Sequence, residues 1–171
     1  MKQVVIFTDG ACRGNPGIGA YAARLEYQGH QKMVAQAYEL TTNNRMELMA
    51  MIKGLEMLKE PCAVTAFTDS KYVQNAITEG WLKRWAAHGW RPKWKSPKLV
   101  KNVDLWKILH TLLEKHDVTV EWVKGHAGNE GNEAVDQVAN EAIDSGNFLQ
   151  DEGFLNKETH LNNPNQMDLG L

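Results

Sequence analysis

Ile6-Phe7-Thr8-Asp9-Gly10 and Ala66-Phe67-Thr68-Asp69-Ser70 carry one pattern twice, at widely separated places in the chain. Each closes a short apolar run, Val4 to Thr8 and Val64 to Thr68, and each hands over to an aspartate. Short apolar runs bounded by turn residues read as buried strands. If the two strands are neighbours, both aspartates stand at one edge of a sheet, where α/β folds place ligand sites. Two carboxylates about 4 Å apart repel by roughly 1–4 kcal/mol at effective dielectrics between those of water and a protein surface. Such a pair persists by sharing a proton or by binding a cation. Oxygen-only donors favour Mg²⁺ or Mn²⁺ over zinc.

Outward from these runs, Gly10 to Gly19 holds four glycines and Pro16, and reads as a turn region. Tyr21 to Tyr27 and Met33 to Tyr38 alternate apolar and polar residues around Gln28-Gly29-His30, as two antiparallel strands do. The period then changes: Leu48, Met51, Ile52, Leu55 and Leu58 recur at helical spacing until Pro61. After the second aspartate, short helices are expected over Lys71 to Ile77 and within Trp81 to Trp94, followed by a longer one through Val103, Trp106, Leu109 and Leu113. Val118 to Val123 reads as a strand, Gly125 to Gly131 as a glycine-rich loop, and Glu133 to Ile143 as a last helix. Three strands, a helix, a strand, helices, a strand and a helix give a mixed α/β sheet covered by helices. Past Ser145 the composition turns polar, as in a flexible tail.

The 171 residues suit one domain with a full core. No apolar run is long enough to span a bilayer. Met1-Lys2-Gln3 leads straight into Val4-Val5-Ile6-Phe7, too short a stretch for a signal peptide, so a cytoplasmic protein with no membrane role is expected. Cys12 and Cys62 make neither a disulfide framework nor a zinc pattern. Net charge is −2, but Gly80 to Val103 holds seven basic residues (Lys83, Arg84, Arg91, Lys93, Lys95, Lys98, Lys101) and no acidic one. The rest of the chain has 12 basic against 21 acidic residues. An acidic body with one basic segment is an electrostatic footprint for a polyanion.

Each acidic residue alone has an ordinary explanation. Asp69 could cap the helix that follows it, and Asp9 could hold a glycine turn. Glu47 stands three residues after Asn44, a capping-box-like spacing. Asp136 could belong to a solvated face with Glu130, Glu133 and Glu141.

Taken in order, Thr8-Asp9-Gly10, Gly14-Asn15-Pro16-Gly17, Thr42-Asn43-Asn44-Arg45-Met46-Glu47-Leu48, Thr68-Asp69-Ser70, Trp122-Val123-Lys124-Gly125-His126 and Asn132-Glu133 through Asp136 are more specific. Together they resemble the bacterial ribonuclease HI family, from about Val4 to Phe154. The resemblance implies a catalytic domain over residues 1–154 and a ribonuclease H-like fold, a five-stranded mixed sheet flanked by helices with its first three strands antiparallel. It implies an endonuclease cutting the RNA strand of RNA–DNA hybrids with two Mg²⁺ ions, for which Mn²⁺ can substitute, and leaving 5′-phosphate and 3′-hydroxyl ends. Asp9, Glu47, Asp69 and Asp136 would hold the metal. Asp9 would bridge both ions, Asp69 would serve the water-activating ion and Glu47 the leaving-group ion. His126 would shuttle a proton or assist product release from a mobile loop.

The same resemblance assigns RNA contacts to Cys12, Asn15 and Asn43, with Thr42 and Arg45 near the backbone-binding surface. The basic segment resembles the family's basic protrusion, which grips the DNA strand: Lys83, Arg84, Arg91 and Lys93 would meet phosphates beside Trp81 and Trp85, whose i, i+4 spacing also suits a small local core. Lys71 stands where many relatives carry Gln, and a long cation there would meet a phosphate. Residues 155–171 form a tail ending Gln166-Met167-Asp168-Leu169-Gly170-Leu171, which resembles the short peptides that dock on the bacterial sliding clamp. A monomer is the default. The competing readings are a non-catalytic hybrid-binding module and another polynucleotidyl transferase of the same fold.

Overall fold

The computed structural model describes residues 1–125 and 128–161. The first strand, β1 (Lys2–Gly14), pairs antiparallel with β2 (Gly17–Tyr27), which pairs antiparallel with β3 (His30–Thr41). After α1 (Asn43–Glu56), β4 (Cys62–Thr68) lies parallel to β1, and β5 (Asp117–Trp122) lies parallel to β4. Between these two strands come α2 (Lys71–Thr78), α3 (Trp81–Ala87) and α4 (Val103–Lys115). The chain then forms α5 (Glu130–Asp144), the short strand β6 (Phe148–Leu149) beside β3, and α6 (Glu152–Leu161). The strand order is β5-β4-β1-β2-β3-β6. The mixed sheet with three antiparallel leading strands is as expected, with a sixth strand of two residues added at its edge.

Two cores flank the sheet. Val4, Ile6, Val64 and Ala66 point to one side, where they bury Leu48, Met51, Ile52 and Leu55 of α1 and Trp106 and Leu109 of α4. Ala20, Ala22 and Ala37 form the other face and receive Val135, Ala139 and Ile143 of α5. Small residues there let a helix lie close to the sheet. Gly131 marks the closest approach, since a methyl group on it would run into the Phe7 ring.

Two expectations change. Gly10 to Gly19 is not a long turn: β1 continues to Gly14, and only Asn15-Pro16 separate it from β2. Gly10 serves packing instead, because a Cβ there would stand 2.5 Å from the Glu47 backbone nitrogen. The stretch from Gly146 to Asp151 is also tied down. Beyond β6, Asp151 is buried and bonds to Arg45 and Thr41, and α6 runs across the 154/155 boundary to Leu161. The polar composition there misled because one of the polar residues is a buried ion-pair partner.

Candidate active site

Parallel pairing of β1 with β4 runs from Lys2↔Cys62 to Phe7↔Phe67. The Phe7 and Phe67 rings stack at 5.0 Å, and the Thr8 hydroxyl donates to the Phe67 carbonyl at 2.8 Å. Asp9 and Asp69 therefore emerge side by side, as expected, at the point where the parallel register ends. Asp9 is not at the end of its own strand, because β1 continues along β2.

The capping explanations for Asp69 and Glu47 do not hold. Ser70, not Asp69, caps α2, its hydroxyl accepting from the Val73 N–H at 3.2 Å. Thr42, not Asn44, caps α1, accepting from the Arg45 N–H at 3.3 Å. That frees Glu47 to turn inward from the first turns of α1. One carboxylate oxygen from each of Asp9, Glu47 and Asp69 can be chosen so that all lie within 4.8 Å of one another. Asp9 and Glu47 are buried, and Asp69 is half-buried. Asp136, half-buried on α5, stands beside this trio and acts on Asp9 by charge and hydrogen bonding.

The electrostatics record the crowding. Burial, then the Asp69 charge, then Asp136, push the Asp9 carboxyl up to about 9. Burial and the charges of Asp9 and Asp69 hold Glu47 well above the usual carboxylate range, although the Gly10 N–H donates to it. Glu47 Oε2 is buried without a hydrogen-bond partner among the described residues. A buried acceptor with no donor is costly. A hard divalent cation would satisfy that oxygen and neutralise its neighbours, and the donor set is all oxygen, so the residues fit such an ion.

Around the cluster, the N-terminus of α1 gathers several of the expected RNA contacts. Asn15 Oδ1 accepts from the Asn43 N–H at 3.1 Å, and both side chains are exposed. Cys12 is half-buried beside them, its thiol donating to the Gly14 carbonyl at 2.7 Å, and burial pushes its pKa up. Thr42 is half-buried and occupied as the cap. Arg45 requires correction. It is buried, with its guanidinium on Asp151 at 2.7 Å and on Asp104 at 2.7 and 2.9 Å. Burial disfavours its charge, but those bonds more than offset this and keep it ionised. Asp104 is pushed up by burial yet held below its ordinary value by Arg45. Arg45 is a structural cation with no group left for a phosphate. Its partners lie 59 and 106 residues away in sequence, out of reach of motif reading.

Lys83 and Arg84 are exposed on α3, and Lys93 is exposed in the loop beyond it. Arg91 is half-buried and donates to the Ser96 carbonyl at 3.0 Å. Trp81 and Trp85 pack as the local core: Trp85 meets Trp81 at 6.4 Å and the buried Trp106 at 5.4 Å. His126 lies outside the described residues, as does Gln166 to Leu171. Trp122 was given no role by its motif. Its indole N–H donates to the Asp69 carbonyl at 3.1 Å, and the Lys71 ammonium lies 3.8 Å from its ring centroid. A tryptophan at the end of a strand next to the aspartate strand was the available signal.

The RNase H family model matches residues 1–144. A ribonuclease H of Francisella philomiragia is 56% identical over 142 residues, covering 83% of this chain and 91% of that protein. One from Tolumonas auensis is 51% identical over 154 residues, covering 90% and 98%. Among solved structures, LC9-RNase H1, a type 1 RNase H, superposes with a TM-score of 0.74 at 28% identity, covering 84% of this chain and 73% of that one. With this sheet order, this carboxylate cluster and these relatives, the chain is an enzyme of the ribonuclease H family.

Proposed function

We propose that this chain is a metal-dependent endonuclease that hydrolyses the RNA strand of RNA–DNA hybrids, leaving 5′-phosphate and 3′-hydroxyl ends. The observation that carries the reading is the trio Asp9, Glu47 and Asp69, with carboxylate oxygens within 4.8 Å of one another and the buried Glu47 Oε2 unpartnered among the described residues. Asp9, Glu47, Asp69 and Asp136 would hold the ions. Asp9, which interacts with each of the other three, would be the central member of that set. When bound, two Mg²⁺ ions, with Mn²⁺ as a substitute, supply charge stabilisation for in-line displacement at phosphorus. Asn15, Asn43 and Cys12 read the sugar edge in this proposal, because recognition of the 2′-hydroxyl separates RNA from DNA. Lys83, Arg84, Arg91 and Lys93 grip the phosphates of the hybrid without reading sequence. His126 moves a proton or releases product.

In this reading the enzyme is a cytoplasmic monomer, in keeping with two free cysteines and with no helix among the described residues long and apolar enough to cross a membrane. Gln166 to Leu171 docks on the replication sliding clamp. Equal clamp affinity with and without residues 166–171 removes that partner. The central test is cleavage of a labelled hybrid with Mg²⁺, beside RNA–RNA and DNA–DNA duplexes. Mg²⁺-dependent cutting confined to the RNA of the hybrid is expected. Cutting of all three, or of none, overturns the reading.

A further inference from the structure

Trp122 ends β5, next to the strand that delivers Asp69. Its two faces of chemistry are both in use. The indole N–H donates to the Asp69 carbonyl at 3.1 Å, and the ring lies under the Lys71 ammonium at 3.8 Å. Lys71 opens α2, and its side chain is exposed. Among the described residues it makes no ion pair, and its one side-chain bond is a long one, 3.4 Å, to Gln74 Oε1. An aromatic face attracts a cation without neutralising it, whereas a carboxylate partner would spend the charge. A compact ammonium on a restrained stem, next to a cluster of metal-holding carboxylates, suits one anionic oxygen.

We propose that Trp122 is a positioning residue with two loads: it anchors the Asp69 backbone, and it holds Lys71 as an un-neutralised contact for a backbone phosphate of the RNA strand beside the cut. The inference rests on the hybrid-nuclease reading above. It assigns to the β5 end a role in both metal affinity and substrate affinity, and separates the two by chemistry. The ring face serves Lys71; the N–H serves Asp69.

The experiment measures two quantities on folded variants checked by circular dichroism. The first is equilibrium binding of a labelled hybrid in EDTA across a salt series. The second is Mg²⁺ affinity by calorimetry without nucleic acid. Lys71→Met is expected to weaken hybrid binding about threefold to tenfold and to lower the salt slope by about 0.9, the value for one phosphate. Lys71→Arg restores the slope. Trp122→Phe keeps a ring but loses the N–H, so the slope stays while Mg²⁺ affinity falls several-fold. Trp122→Leu loses both. A wild-type salt slope in Lys71→Met overturns the phosphate contact, and wild-type Mg²⁺ affinity in both Trp122 variants overturns the anchoring. If wild-type protein neither binds nor cuts the hybrid, the functional reading fails as well. If it cuts the hybrid and the variants match it, only this inference fails.

Discussion

The acidic cluster and the basic segment are opposite solutions to handling one polyanion. Asp9, Glu47 and Asp136 come from β1, α1 and α5 and Asp69 from the turn after β4, and the innermost of them are buried under mutual repulsion. Lys83, Arg84, Arg91 and Lys93 come from one continuous stretch and mostly face solvent. The cluster is held in a costly arrangement by the surrounding fold, so one added cation changes its energetics greatly. The segment's charges stand mostly in solvent and apart from carboxylates, so they act additively. The Arg45 node joins them: Arg45 precedes Glu47 by two residues, and its partners Asn102 and Asp104 stand at the end of the basic segment and just past it. The contrast teaches that cutting and gripping should be separable by mutation.

Asp9→Asn should break that separation if it is false, and carries the largest expected effect. Cleavage should fall about a thousandfold, or about 4 kcal/mol of barrier, while hybrid affinity in EDTA stays within about threefold. Loss of both together would show that the cluster also grips. Next in size, Asp151→Ala leaves the Arg45 charge buried with one fewer carboxylate, and should cost about 3–5 kcal/mol of stability in urea unfolding. A loss under about 1 kcal/mol would mean that the two regions are not joined through this node.

Neutralising Lys83, Arg84, Arg91 and Lys93 together should lower hybrid affinity about tenfold to a hundredfold and flatten the salt slope by about three to four. Turnover at saturating substrate should hardly move; a large fall in kcat would merge the two regions. The smallest effect concerns pH. The Asp9 carboxyl is raised in the fold to about 9 from an ordinary 3.8. The unfolded chain thus loses this proton at lower pH than the folded one, and metal-free stability from this group drains away as pH rises from about 4 to about 9. Asp9→Asn should then raise the metal-free Tm at pH 8 by about 2–4 °C, the equivalent of about 1 kcal/mol, and should leave it little changed at pH 4. An unchanged Tm at both pH values would show that the cluster carries no such tension.

Much of this was legible in the chain. The order of strands and helices and the neighbouring aspartates followed from periodicity and repetition, and the resemblance singled out Glu47 and Asp136. What escaped were features fixed by tertiary contact. Glycines at 10 to 19 read as a turn because a glycine needed for helix contact is indistinguishable from one needed for bending; the contact at Gly10 is with Glu47, distant in sequence. Arg45 read as a phosphate contact because its carboxylates come from α4 and from the segment before α6. Trp122 had no assigned role because its partners, the Asp69 carbonyl and Lys71, lie in the turn after β4 and at the start of α2, some fifty residues away.

The central claim is that four crowded carboxylates are a cation site. Calorimetric titration of Mg²⁺ near neutral pH, in two buffers of different ionisation enthalpy, tests it directly. Ligand carboxylates must give up their protons to a metal, so the wild-type protein should bind Mg²⁺ with proton release, and Asp9→Asn should bind far more weakly with less release. Mg²⁺ binding that is absent, or that is unchanged in affinity and proton release in Asp9→Asn, would contradict the account.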